Sequence, residues 1–119
     1  MKYSELVVWQ KSMDLVTEIY QMTALLPREE CFGLSSQMRR AAVSIPSNIA
    51  EGHGRKATGA YINHLSIAYG SLVELETQIQ ISMRLNFMTQ HNQTRLLSHT
   101  DEIGKMLTSL KKSLAAKSE

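Results

Sequence analysis

Residues 58–85 read TGAYINHLSIAYGSLVELETQIQISMRL, and the reading of this stretch decides the fold. Tyr61, Leu65, Ala68, Leu72, Leu75, Ile79 and Ser82 alternate spacings of four and three, which winds a single stripe along an α-helix. Ile62, Tyr69 and Val73 broaden the apolar face. Thr58 is a candidate N-cap, and Asn86 with Phe87 reads as a turn. A helix over residues 58–85 follows, about 40 Å long at 1.5 Å per residue.

Upstream, the spacing predicts a helix over residues 33–51, with Leu34, Met38, Ala41, Ala42, Ile45 and Ile49 as its buried stripe. Pro46 falls inside that stripe, removes one backbone donor and crowds the carbonyl of Ala42, so a kink or short break is expected there. Gly52 and Gly54 are expected to stop this helix. Farther upstream a helix over 6–25 carries two stripes. Trp9, Met13, Val16, Tyr20 and Thr23 form one; Val8, Ser12, Leu15, Ile19 and Met22 form the other. Ser4 is a candidate cap and Pro27 ends the segment.

Downstream, Leu96, Thr100, Ile103, Leu107, Leu110 and Leu114 mark a helix over 89–116. Its lysines gather near the end, where cations suit the helix dipole. Four helices joined by short connections pack as a single all-α domain over residues 1–119, an up-down-up-down antiparallel four-helix bundle.

Composition narrows the function classes. A chain of 119 residues suits one core, and 13 Lys+Arg against 11 Asp+Glu leave a charge of only +2. One cysteine, Cys31, excludes an internal disulfide and any CxxC metal site. No apolar run reaches membrane-spanning length, and the N-terminal segment lacks a signal-peptide pattern, so a cytoplasmic protein without membrane contact is expected.

Four-helix bundles often host di-iron, which needs inward Glu and paired Glu-x-x-His motifs; Glu74 and Glu76 are followed at that spacing by Thr77 and Ile79. His53, His64, His91 and His99 include no pair three or four apart. No phosphate loop, dinucleotide fingerprint, HExxH helix or GxSxG elbow is present. The expectation is a protein without catalytic residues, metal or cofactor.

The segment Arg39–Arg55, RRAAVSIPSNIAEGHGR, is the informative one. Arg40, Ser44, Asn48 and Glu51 line one helical face away from the core stripe. Ser and Asn are short hydrogen-bonding groups of low helix propensity, which suits a close helix–helix or subunit contact; a solvated face and a ligand site are the alternatives. Gly52 and Gly54 belong to the same packing motif, with Ser66 and Gly70 on the third helix able to admit another backbone. Arg39, Arg40, Arg55 and Lys56 make one candidate nucleic-acid patch, and Lys111 with Lys112 another. Aromatic side chains for base stacking look scarce beside these cations. Val8, Leu15, Ile19 and Met22, with Ile62, Tyr69 and Val73, form second stripes that a lone bundle is expected to leave partly uncovered, which favours self-association into a ring; a widened core of a single chain is the alternative.

LVVWQKSMDLVTEIY (Leu6–Tyr20), GLSSQ (Gly33–Gln37), RRAAVSIPSNIAEGHGR and HLSIAYGSLVELETQ (His64–Gln78) resemble the bacterial four-helix-bundle proteins encoded in intervening sequences of 23S ribosomal RNA genes. The similarity covers about residues 3–85, and SIPSNIAEGxGR is its most specific part. The resemblance implies a homopentameric bundle without known catalytic activity. It also implies a distant relation to the accessory proteins of diversity-generating retroelements, basic pentamers that bind a reverse transcriptase and nucleic acid. His64 stands where the family usually has an aromatic residue, and Ala57–Ala60 is neutral where lysine and arginine are frequent. Two functions follow as expectations: a self-assembling bundle holding RNA or DNA by phosphate contacts, or an adaptor ring that binds another protein.

Overall fold

The computed structural model describes residues 1–118. Its four long helices are α1 (Val7–Thr23), α2 (Leu34–His53), α3 (Thr58–Arg84) and α4 (Gln90–Ser118), with short 3-10 turns at Tyr3–Glu5 and Arg28–Glu30. The described residues contain no strand. Their extents are 48 × 23 × 20 Å, a bundle one long helix in length.

Cross-helix contacts fix the direction of each neighbour. Thr23 at the end of α1 meets Arg39 near the start of α2. Ser44, Asn48 and Gly52 of α2 meet Ser71, His64 and Tyr61 of α3 in descending order. Glu76 and Leu72 of α3 meet Thr100 and Gly104 of α4, and Lys11 and Glu18 of α1 meet Glu102 and Arg95 of α4. In every pair the numbers rise on one helix as they fall on the other. The helices therefore run alternately up and down, each beside its sequence neighbour, and α4 closes against α1.

Local chemistry explains most ends. Thr89 Oγ1 accepts the Asn92 backbone N–H at 3.1 Å and caps α4. At the other end of the same connection, Asn86 takes a left-handed φ of 62°. The Phe87 N–H reaches Ser82 O and the Asn86 N–H reaches Met83 O, closing off α3 in a paired terminal motif. A Glu30 carboxylate oxygen accepts the Leu34 N–H at 3.2 Å, placing negative charge at the start of α2.

Several local expectations are corrected. Ser4 does not cap α1: Glu5 accepts the Lys2 N–H and holds Tyr3–Glu5 in a 3-10 turn, so Leu6 is the flanking residue. Thr58 lies inside α3, after Ala57, and makes no side-chain cap. Gly52 does not stop α2 but is buried within it, one residue before His53 ends the helix and two before the flanking Gly54. Of the kink or short break expected at Pro46, the break is absent: the helix is continuous through it.

The core is the expected stripe on three helices and, on α1, the second candidate as far as Ile19, with Thr23 of the first buried in place of Met22. Leu65, Ala68, Leu72, Leu75 and Ile79 are fully or almost fully buried, as are Met38, Ala42, Ile45, Ile49, Ile103 and Leu107. On α1 the buried set is Val8, Ser12, Leu15, Ile19 and Thr23. Val8, Leu15 and Ile19 thus belong to the monomer's own core, against the expectation that copies of the chain would cover them. The stripe left outside is Trp9, Met13, Val16 and Tyr20, which lies toward α2.

Candidate functional site

The face of α2 that sequence marked as polar is a seam with α3. Ser71 Oγ donates to Ser44 Oγ at 2.8 Å, and Asn48 Nδ2 donates to Ser44 Oγ at 3.0 Å and to Ser44 O at 2.9 Å. That leaves Asn48 Oδ1 facing His64 Nδ1 at 3.0 Å. An amide oxygen only accepts, so His64 carries its hydrogen on Nδ1. One turn on, a Cβ placed on Gly52 would lie 2.7 Å from His64 Cβ and 3.0 Å from Tyr61 Cδ1. Glycine is required there because the two helices touch backbone to backbone. Burial raises the Tyr61 phenol above its ordinary value near 10, since charge is disfavoured away from water. Ser44, Asn48 and Gly52 thus make a helix–helix contact inside one chain. The flanking charges stand apart from it: Glu51 pairs with Arg55 at 3.4 Å, and Arg40 points outward. Ser66 and Gly70 are exposed on α3, with nothing of this chain within 4 Å of a Cβ built on Gly70.

The structure separates the cations that sequence grouped. Arg39 is taken up by packing: its Nε donates to Thr23 Oγ1 at 2.7 Å, and its guanidinium lies 4.7 Å from the centre of the Tyr20 ring. Arg40 lies about 20 Å along α2 from His53, thirteen residues on, and Arg55 follows two residues later. Arg55 and Lys56 sit at the opposite end of the bundle, the end toward which the C-terminal part of α4 brings Lys111 and Lys112. Lys111 leans over the Tyr69 ring with Nζ 5.9 Å from its centre. Tyr69 is the aromatic beside the cations that sequence reasoning missed, because forty-two residues separate it from Lys111 and only the α3–α4 register unites them.

Two further seams carry features. Between α1 and α2, Tyr3, Trp9, Met13, Val16, Val43 and Pro46 line an open apolar groove of about 380 Å³. Between α1 and α4, Glu18 meets His99 Nδ1 at 2.9 Å and Arg95 Nε at 3.7 Å, while Glu102 pairs with Lys11 beside a cleft of about 380 Å³. The hydrogen bond and charge of Lys11 hold the Glu102 carboxyl below its ordinary value. Among the described residues no three His, Cys, Asp or Glu side chains are placed to share a metal ion, and no helix is long and apolar enough to cross a membrane. Cys31 is exposed.

The comparisons with known proteins agree with this architecture. No curated protein matches the sequence. A solved structure from Bacteroides thetaiotaomicron, described as a protein of unknown function from the S23 ribosomal protein family, superposes with a TM-score of 0.84 at 29% identity. The match covers 94% of this chain and 99% of that one. The family model for the 23S rRNA-intervening sequence protein matches residues 4–109, which takes in α1, α2, α3 and α4 as far as Ser109. The chain is a member of the 23S rRNA-intervening sequence protein family.

Proposed function

We propose that this chain is a non-enzymatic bundle that assembles with copies of itself through the α1–α2 seam and holds RNA or DNA by its phosphates. The observation that carries the reading is the apolar groove of that seam. Tyr3, Met13 and Val43 are each 40% exposed or more beside half-buried Trp9 and Val16. A contiguous apolar face of this kind is unusual on a soluble monomer, and a second copy would remove it from water. A cyclic arrangement closes such contacts without open ends, and the family resemblance favours five subunits. Repetition of Arg40, Lys56 and Lys112 around a ring would multiply a cationic surface that is sparse on one chain.

Light scattering coupled to size exclusion tests the assembly: a multiple of the single-chain mass is expected at micromolar concentration, and the mass of one chain overturns it. Met13→Lys and Val43→Glu, both on the exposed rim, should shift the protein toward monomer without loss of helix content. Fluorescence anisotropy tests the second half of the reading. Binding should weaken steeply with added salt and depend little on base order. The adaptor reading is favoured by one observation, that Arg39 and Arg55 are already engaged within the chain. No nucleic-acid binding at about 50 mM salt, together with recovery of one partner protein from the native host, would decide for it.

A further inference from the structure

The groove between α3 and α4 is built differently from the other seams. Tyr69 stands at one end, 40% exposed, on the flank of α3 that faces α4. Gly104 opens the space for its ring: a Cβ there would lie 3.7 Å from Tyr69 Cε2 and 3.2 Å from Leu72 Cδ2. One edge of the ring thus approaches α4 at Gly104, with the Lys111 ammonium over the ring. Beside it runs an open groove of about 510 Å³, whose walls include the Thr108 and Ser109 hydroxyls. The two carboxylates in the same groove already have partners. Glu76 accepts from Thr100 Oγ1 at 2.8 Å, and Asp101 pairs with Lys105 at 3.1 Å. The Tyr69 ring remains 40% exposed, with Lys111 over it and two hydroxyls on the adjoining groove wall, and the exposed Lys112 lies one turn beyond Ser109 on α4, all on the side of the bundle opposite the α1–α2 seam.

We propose that this groove binds a single-stranded stretch of RNA or DNA, with one base stacked on Tyr69 and neighbouring phosphates held by Lys111 and Lys112. The inference rests on the nucleic-acid reading above and assigns it a site. Every base presents a π-face, so a fixed aromatic ring beside cations binds single strands with little regard to sequence. A duplex keeps its bases stacked on each other and cannot offer one to the ring. The hydroxyls of Thr108 and Ser109 both donate and accept, which suits sugar or base edges of either nucleic acid.

Anisotropy at about 50 mM salt provides the test, with labelled oligomers of about 12 nucleotides as RNA, as DNA and as an abasic sugar-phosphate chain. The wild-type protein should bind either base-bearing strand more tightly than the abasic chain. Tyr69→Ala should lose about tenfold for base-bearing strands and nothing for the abasic chain, while Tyr69→Phe keeps wild-type affinity. Tyr69→Leu, which retains apolar packing on Gly104, repeats the comparison if the alanine variant fails to give the wild-type circular dichroism. Lys111→Gln with Lys112→Gln should weaken all three oligomers and flatten the salt dependence. If the Tyr69 variants bind base-bearing strands as the wild type does while the lysine variant loses affinity, the stacking site is overturned and phosphate binding stands. If no oligomer binds the wild type, both readings fall.

Discussion

The α2–α3 seam and the α1–α4 seam join their helices by opposite means. In the first, short side chains meet in fixed hydrogen bonds, and a glycine lets the backbones touch. In the second, long charged side chains reach across a cleft of about 380 Å³. Close approach leaves no room for error, because a packed interface resists any added atom. The outer pair of the second seam, Lys11 with Glu102, tolerates replacement, since exposed ion pairs contribute little in water, whereas Glu18 is half-buried between its two partners. The contrast teaches that the specificity of this bundle resides between α2 and α3, where the side chains are short and their partners fixed.

The strongest way to break that contrast is Gly52→Ala. The new Cβ would stand 2.7 Å from His64 Cβ, an atom fixed to the α3 backbone, so the helices must part. A loss of about 2–3 kcal/mol is expected in urea denaturation, net of alanine's better helix propensity. Gly70→Ala on the exposed face of α3 meets nothing within 4 Å and should instead stabilise by about 0.5–1 kcal/mol. Equal effects at the two glycines would refute the close-approach argument.

Asn48→Ala comes next. It removes the acceptor of the His64 N–H and one of two donors to Ser44, in a half-buried setting. About 1–2 kcal/mol should be lost, visible as a lower thermal midpoint with unchanged helix content. A midpoint within error of the wild type would mean that water replaces the amide fully.

Glu102→Gln should have the smallest effect, with a denaturation midpoint close to the wild type at neutral pH. Its sign with pH follows from the lowered carboxyl value. The folded state favours the charged form, so the Lys11 pair contributes above the ordinary carboxylate range near 4.5, and the contribution disappears as pH falls through the lower folded value. Any difference from wild type should therefore vanish in acid and in high salt. A larger loss than that of Asn48→Ala would reverse the ranking of the two seams.

The bundle itself was legible because its period is carried by many residues at once. Leu65, Ala68, Leu72, Leu75 and Ile79 repeat one answer along a whole helix, and no single exception can overturn it. On α1 the same logic left two stripes one residue apart, equally periodic. The structure buries the Val8–Leu15–Ile19 stripe and leaves the one holding Trp9 and Tyr20 outside, a choice set by the neighbouring helices rather than by the segment. Ser44 and Asn48 announced a close contact by their type, yet their partners Ser71 and His64 lie 27 and 16 residues away and carried no local signal. The cations were visible one by one. Their sorting to opposite ends, and the retention of Arg39 by Thr23 and Tyr20, depend on register between helices, which spacing within one helix does not contain.

Three of the four seams join helices adjacent in sequence, the α2–α3 contact is the most extensive, and only α1 with α4 brings together distant parts of the chain. That arrangement has a kinetic meaning. Loop closure is cheap between neighbours and dear between the ends, so the hairpin of α2 and α3 is the natural folding nucleus, with the outer helices docking afterwards. Mutational φ-values would then be high at Gly52, Ser71 and Leu72 and low at Lys11 and Glu102; the reverse pattern would place the nucleus at the termini. A late-closing α1–α4 seam also leaves the face of α1 that carries Lys11 and Glu18 open to water until the rest of the bundle has formed.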